Sequence, residues 1–262
     1  MTILDQIISD KKLEVKARKE VVTEDHLQKQ VAGMAKGRSL KQALIESPTG
    51  IISEFKRKSP SKGYIHLDAN VEDVVGAYQT SGCAGVSVLT DFPHFGGTVG
   101  DFRKARAILD VPMIRKDFII DPYQVYESKL LGADVILLIA SALTLDEVYD
   151  LGALAHELGM ETLLEIHDAT ELEYINRYTD MVGVNNRNLG TFVTDVQVSM
   201  DLIHQIPASY VKVSESGISN PQTVFELREA GYQGFLMGEN FMKEKKPGTS
   251  LSQFIQALNR LK

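Results

Sequence analysis

Residues 135–164, VILLIASALTLDEVYDLGALAHELGMETLL, hold one complete strand–helix–strand unit, and the fold follows from how often that unit recurs. The apolar run 135–139 has the continuous texture of a parallel strand whose outer side is covered by helices. Thr144 stands three residues before Glu147, the spacing of a capping box that satisfies free N–H groups at a helix start. Leu151, Leu154, Ala155 and Leu158 recur at helical spacing, and Gly159 is placed to stop the helix before the next run, 161–164.

Working outward, further β-rich apolar runs lie at 50–55, 85–89, 112–114, 181–184, 210–213 and 234–237, each followed by a helical stretch. Asp168 can cap a helix carrying Leu172, Tyr174 and Ile175. Asn220-Pro221 opens another, with Val224, Leu227 and Ala230 on one face and Gly231 at its end. The last helix is expected from near Leu251 through Phe254, Ile255, Leu258 and Leu261. This alternation predicts an α/β fold, a closed (β/α)8 TIM barrel rather than an open sheet. Residues 1–48 precede the first strand. There Leu4, Ile7 and Ile8 form an apolar stripe followed by Lys11, Lys12, Lys16, Arg18 and Lys19. They predict an N-terminal helical extension over the barrel, its basic side chains forming a solvated face, with a loop at 33–39. The chain reads as one domain, 1–262, of which 49–262 is the barrel.

Composition narrows the function classes. A hydrophobic fraction of 44% in 262 residues allows a large core without disulfides or metals. The single Cys83 cannot form an internal disulfide and reads as packing beside Ala84, Gly85 and Val86, which suits a reducing cytosol. A net charge of −7 argues against nucleic-acid binding, although a few local cations can still hold a small anion. No apolar run approaches the roughly 20 residues of a membrane span. The opening Met1-Thr2-Ile3-Leu4-Asp5-Gln6 does not read as a signal peptide. A cytoplasmic location without membrane partners is the expectation. The six histidines are scattered without HExxH, and no GxGxxG or P-loop is present, so neither metal nor nucleotide cofactor is expected.

In such a barrel the reactive face is built from strand C-termini and the loops that follow them. Those positions carry Glu54 and Lys56; Thr90 and Asp91; Lys116 and Asp117; Glu165; Asn185 and Arg187; Glu215, Ser216 and Gly217; and Gly238 and Glu239. Burying such groups without a ligand is costly, so their recurrence at equivalent positions points to a site. Strand alternation puts Glu54 and Lys56 on the same side. Arg57 and Lys58 then open a Ser/Pro/Gly loop, either a basic surface turn or a mobile loop closing over an anion. Lys116 suits a general acid, and equally an ion pair with Asp117 or Glu165. Glu165 suits proton transfer, whereas the adjacent His167 reads as structural. The turns Ser214-Glu215-Ser216-Gly217-Ile218 and Gly238-Glu239-Asn240 follow strands seven and eight, where barrel enzymes often hold phosphate on backbone N–H groups and a short extra helix.

These segments together resemble the indole-3-glycerol-phosphate synthase family. Its E-x-K-x-x-S-P-S-x-G segment is matched by Glu54 through Gly63. The resemblance continues through 87–91 (SVLTD), 112–118 (PMIRKDF), 121–124 (DPYQ), 163–167 (LLEIH), 183–189 (GVNNRNL), 214–218 (SESGI) and 237–239 (MGE), and covers nearly the whole chain.

The resemblance implies closure of 1-(2-carboxyphenylamino)-1-deoxyribulose 5-phosphate to indole-3-glycerol phosphate, with loss of carbon dioxide and water, in tryptophan biosynthesis. It implies Lys116 as general acid, Glu165 handling protons in dehydration, Lys56 binding substrate or donating a proton, and Glu54 balancing the lysines. Asn185 would bind the substrate's polar chain, with Arg187 in support. Ser59, Ser216, Gly217, Gly238 and Glu239 would hold the phosphate, and Phe118 and Leu137 would line the aromatic pocket. Such a reaction needs no cofactor, because the ring itself takes up the electrons released with carbon dioxide. A phosphoribosylanthranilate isomerase or a tryptophan synthase α-subunit would share the phosphate grip but not the Glu54–Ser61 segment or the extension. A non-catalytic barrel that binds a phosphorylated metabolite predicts loss of Lys116 or Glu165, and both are present.

Overall fold

Eight short strands, each parallel to both neighbours, close into a barrel in the computed structural model, which describes residues 2–261. Met1 and Lys262, the two ends of the expected domain, lie outside the described residues. The barrel strands are β1 (Ile51–Phe55), β2 (Gly85–Leu89), β3 (Met113–Lys116), β4 (Val135–Ile139), β5 (Glu161–Ile166), β6 (Met181–Asn185), β7 (Val211–Glu215) and β8 (Gly234–Met237). Pairing of β1 with both β2 and β8 closes the ring. The loop after β1 carries a small hairpin in which Lys58–Ser59 pairs antiparallel with Gly63–Tyr64.

The helix ends follow the chemistry of their residues. Thr144 and Glu147 form the capping box at the head of the helix Leu145–Glu157, each accepting the other's backbone N–H. Asn220 caps Pro221–Ala230, and Gly231 ends it in the left-handed conformation at φ 118°. Two helices differ from expectation. Asp168 caps a 3-10 segment, Ala169–Tyr174, rather than an α-helix, because Glu171 turns back to accept from the His167 N–H and keeps the turn tight. Ile175 therefore falls outside it. The last helix begins earlier, at Pro247, whose missing N–H costs nothing in a first turn, and ends at Leu258.

Four strands run further than their apolar residues suggest: β3 includes Lys116, β5 Glu165, β6 Asn185 and β7 Glu215. Inside the barrel Ile52, Ile114, Leu137, Leu163, Met181, Val213 and Leu236 form one apolar cluster. The larger cluster lies between the strands and the outer helices. Three helices precede β1: α1 (Ile3–Val21), α2 (Glu24–Val31) and α3 (Leu40–Glu46). Leu40 and Leu44 of α3 join the interior cluster beside Gly85 and Gly234 and so plug the barrel at the strands' N-terminal ends.

The expected solvated basic face of α1 is corrected at its most important residue. Lys11 is 1% exposed, with Asp117 Oδ1 at 2.8 Å, Asp91 Oδ2 at 3.1 Å and Glu14 Oε2 at 2.7 Å from its ammonium. Its partners lie just beyond β2 and β3, so α1 is tied by charge to the C-terminal end of the barrel strands. Among the described residues no helix is long and apolar enough to cross a membrane.

Candidate active site

Inward-facing residues of a barrel strand alternate, so whatever follows two positions after an interior apolar side chain also points inward. Ile52 leads to Glu54, Ile114 to Lys116, Leu163 to Glu165 and Val213 to Glu215, while Asn185 has the same parity as Met181. The interior thus changes from apolar to ionic at its C-terminal end, beneath a cavity of about 540 Å³. Every site residue expected from the sequence lines that cavity: Glu54, Lys56, Ser59, Lys116, Phe118, Leu137, Glu165, Asn185, Arg187, Ser216, Gly217, Gly238 and Glu239.

Lys116 is the hub. Its ammonium donates to Glu165 Oε2 at 3.0 Å and to Glu215 Oε2 at 2.6 Å. Asp117, the other partner allowed by sequence, is not engaged by it; its carboxylate turns to Lys11, to fully buried Arg115 and to Thr90. Burial alone would lower the Lys116 pKa, but the charges of Glu165, Glu215 and Glu54 outweigh it and keep the side chain an ammonium. Asn185 Nδ2 donates to Glu165 Oε1 at 2.9 Å, and Lys56 pairs with Glu54 at 2.6 Å.

Two carboxylates sharing one ammonium repel each other, so their ionisations are coupled and their pKa values are driven apart. Burial raises both, and the Lys116 charge, assisted by His167, holds Glu165 well below the ordinary range. Glu215, buried and facing the Glu165 charge, is pushed up to about 7. No role was assigned to Glu215 from the sequence, because the Ser214–Ile218 turn reads as phosphate chemistry; strand parity is what would have revealed it. His167 is also more than a helix-start residue. It lies 3.4 Å from Glu165 and 3.3 Å from Glu171, and although burial opposes its charge, the two carboxylates push it up to about 10.

Glu215 has a measurable consequence for stability. Its folded form keeps a proton that the unfolded side chain releases at the ordinary 4.5, so it favours folding below that pH. This contribution is lost as pH rises to about 7. Glu215→Gln should therefore gain in Tm relative to wild type as pH goes from 4.5 to 7; an equal Tm difference at both ends would contradict the raised pKa.

The loop after β1 divides its cations. Arg57 is held by Asp101 at 2.8 and 2.9 Å, donates to the Ala69 carbonyl and stacks on Phe55, so it anchors the base of the loop away from the cavity. Lys58 donates to the Pro93 carbonyl. Of the two readings the sequence leaves open, a basic surface turn or a loop closing over an anion, the contacts of these two residues fit the first. The loop tip instead meets the far wall: Arg187 donates to Ser61 Oγ at 2.7 Å and lies 3.4 Å from Glu239, which Lys62 approaches at 3.8 Å. The Glu239 carboxylate is thereby occupied by cations.

Across the mouth lie the two small-residue turns. Ser216 and Gly217 both have positive φ, 67° and 74°. Gly238 lies so close to Glu54 that a Cβ there would stand 2.6 Å from Oε1, and the short helix Glu239–Met242 follows it. On the opposite side Phe118, tilted against Phe95 at 6.1 Å, and Leu137 make an apolar wall to which α1 adds Ile3, Leu4 and Ile7.

A closed (β/α)8 barrel with ammonium and carboxylate groups gathered at its C-terminal mouth defines a TIM-barrel enzyme. The family model "Indole-3-glycerol phosphate synthase" matches residues 4–256. The chain belongs to the indole-3-glycerol phosphate synthase family, whose members are carboxy-lyases. Relatives of that name include one from Bacteroides thetaiotaomicron, 52% identical over 256 residues and covering 98% of each chain, and one from Bordetella pertussis, 39% identical over 97% of this chain and 98% of its own. Among solved structures the fold is similar to a mutant tryptophan synthase alpha-subunit from Pyrococcus furiosus (TM-score 0.61, 14% identity, 81% of this chain and 98% of that one). It is also similar to 3-hexulose-6-phosphate synthase from Salmonella typhimurium (TM-score 0.59, 15% identity, 80% and 99%).

Proposed function

We propose that this chain closes the indole ring of 1-(2-carboxyphenylamino)-1-deoxyribulose 5-phosphate, releasing carbon dioxide and water and yielding indole-3-glycerol phosphate. The observation that carries the proposal is the meeting of Lys116 and Glu165, 3.0 Å apart, in a cavity that also holds the Ser216–Gly217 turn and an apolar wall. The ring carbon that bears the carboxylate attacks the ketone carbon, and the ketone oxygen takes a proton from the Lys116 ammonium. Cleavage of the carboxylate bond returns its electron pair to the ring. The new hydroxyl then leaves as water, with Glu165 and its charged neighbours exchanging the protons. Lys56, steadied by Glu54, is the second cation near the reacting oxygen and binds substrate. Asn185 holds the substrate's hydroxyls and orients Glu165.

In this reading the phosphate lies between the Ser216–Gly217 and Gly238–Glu239 turns, with Ser59 and Arg187 at its side. The aromatic ring lies against Phe118 and Leu137. The enzyme acts in the cytoplasm as one domain, its helical extension at 1–48 and its barrel at 49–262, on a small phosphorylated substrate and without nucleic-acid or membrane partners. Replacing Ser216 by Leu should raise KM roughly 10-fold or more, the cost of losing hydrogen bonds to a charged group, with a smaller effect on kcat. An unchanged KM would remove Ser216 from the phosphate pocket. The test of the function itself is an assay of purified protein with this substrate, a chelator present and no cofactor added. Formation of indole-3-glycerol phosphate is expected; a substrate that remains unconverted would refute the proposal.

A further inference from the structure

Asn185 and Arg187 line the cavity, whereas Asn186 between them points the other way and is 2% exposed. All of its side-chain hydrogen-bonding capacity is used. Nδ2 donates to Ser214 Oγ at 3.0 Å and to the Ser216 carbonyl at 3.0 Å. Oδ1 accepts from the Ser199 N–H at 3.1 Å and from Ser199 Oγ at 2.8 Å. A backbone N–H can only donate and a carbonyl can only accept, so the orientation of the amide is determined.

We infer that Asn186 is a positioning residue for phosphate recognition, setting the Ser216–Gly217 peptide so that its N–H faces the cavity. The Ser216–Gly217 peptide is trans, so its carbonyl and its N–H point in opposite directions. Asn186 draws the carbonyl toward the protein interior, and the Gly217 N–H is thereby presented outward. The conformation needs such a restraint. Ser216 has φ 67°, in the left-handed region that non-glycine residues seldom adopt. Gly217 follows at φ 74°, where a Cβ would stand 2.6 Å from Thr194 Cγ2. Successive N–H groups in a turn can form a concavity suited to an anion, and Asn186 bonds the carbonyl of the Ser216–Gly217 peptide within this one. The inference deepens the proposed function and rests on its placing of the phosphate at this turn.

The test measures binding of inorganic phosphate together with KM and kcat. Asn186→Ala removes the donor, and Asn186→Asp replaces it with an oxygen that repels the Ser216 carbonyl. Ser199→Ala, which removes one of the two hydrogen bonds to Asn186 Oδ1 together with the bond to Ser214 Oγ, is the gentler variant should the first two fail to fold. The Asn186 variants should bind phosphate about 10-fold or more weakly, with KM raised by a like factor and kcat changed less than about threefold. Ser199→Ala should move the same quantities in the same direction by less. In wild type the Gly217 amide resonance should shift on phosphate addition, and that shift should be lost in Asn186→Ala. Wild-type phosphate binding in folded Asn186 variants, or in Ser199→Ala if it alone folds, would overturn the role of Asn186. If Ser216→Leu still lost binding, the phosphate pocket would survive that result; if it too bound normally, the pocket reading would fall with the inference. Equal losses in kcat and kcat/KM would also overturn it, since a misplaced phosphate grip acts on binding.

Discussion

Lys116→Met is expected to lower kcat by about 10³-fold while substrate affinity falls far less, because the proposed proton donor is lost but the proposed phosphate grip and the apolar wall remain. Methionine is close to lysine in length, so packing changes little. Its removal of charge also leaves Glu165 and Glu215 facing each other without the ammonium that separates them. Glu165 should then rise in pKa, and the pH–rate profile should move with it. Lys56→Met provides the comparison: its partner is Glu54, so its loss should weaken binding and leave the Glu165 pH dependence in place. Comparable losses of affinity and turnover in Lys116→Met, or a larger kcat loss in Lys56→Met, would reassign the acid.

The second large effect is on stability. Lys11→Met should cost about 3–5 kcal/mol, the usual penalty for stranding buried charges by deleting one partner. Asp91 and Asp117 would remain beneath α1, each at most 2% exposed, with Arg115 left as Asp117's cation. At present the charges of Arg115 and Lys11 overcome the burial of Asp117 and hold it at about 2. Its contribution to stability is present above the ordinary carboxylate pKa and is lost as pH falls from about 4 toward 2. Urea unfolding of the variant at neutral pH measures the effect, and a loss under about 1 kcal/mol would show that the cluster is dispensable.

The fold was legible because its signals are local: the apolar runs, the Thr144–Glu147 box, and Pro and Gly at helix ends all act within a turn or two. Much of the lining of the candidate site was legible because topology restricts it to strand ends, so few positions compete, whereas Ser59, Phe118 and Leu137 rested on the family resemblance. Strand limits were misread where the interior turns ionic, since Lys116, Glu165 and Glu215 resemble loop residues to any reading based on hydrophobicity. Lys11 could not be recognised as buried, because α1 presents several similar lysines and only the distant Asp91 and Asp117 distinguish one of them. The anchoring of Arg57 was not legible for a related reason: its partner Asp101 lies in the helix Val99–Ile108, out of reach of any local pattern. Asn186 has no mark of its own in the chain, as its role arises from the backbone conformation of Ser216.

The decisive measurement is a crystal structure with indole-3-glycerol phosphate bound. The phosphate is expected against the Ser216–Gly217 and Gly238–Glu239 N–H groups, the indole against Phe118 and Leu137, and the Lys116 ammonium beside the newly closed ring. A phosphate bound elsewhere, or a ring lying out of reach of Lys116, would contradict the proposal.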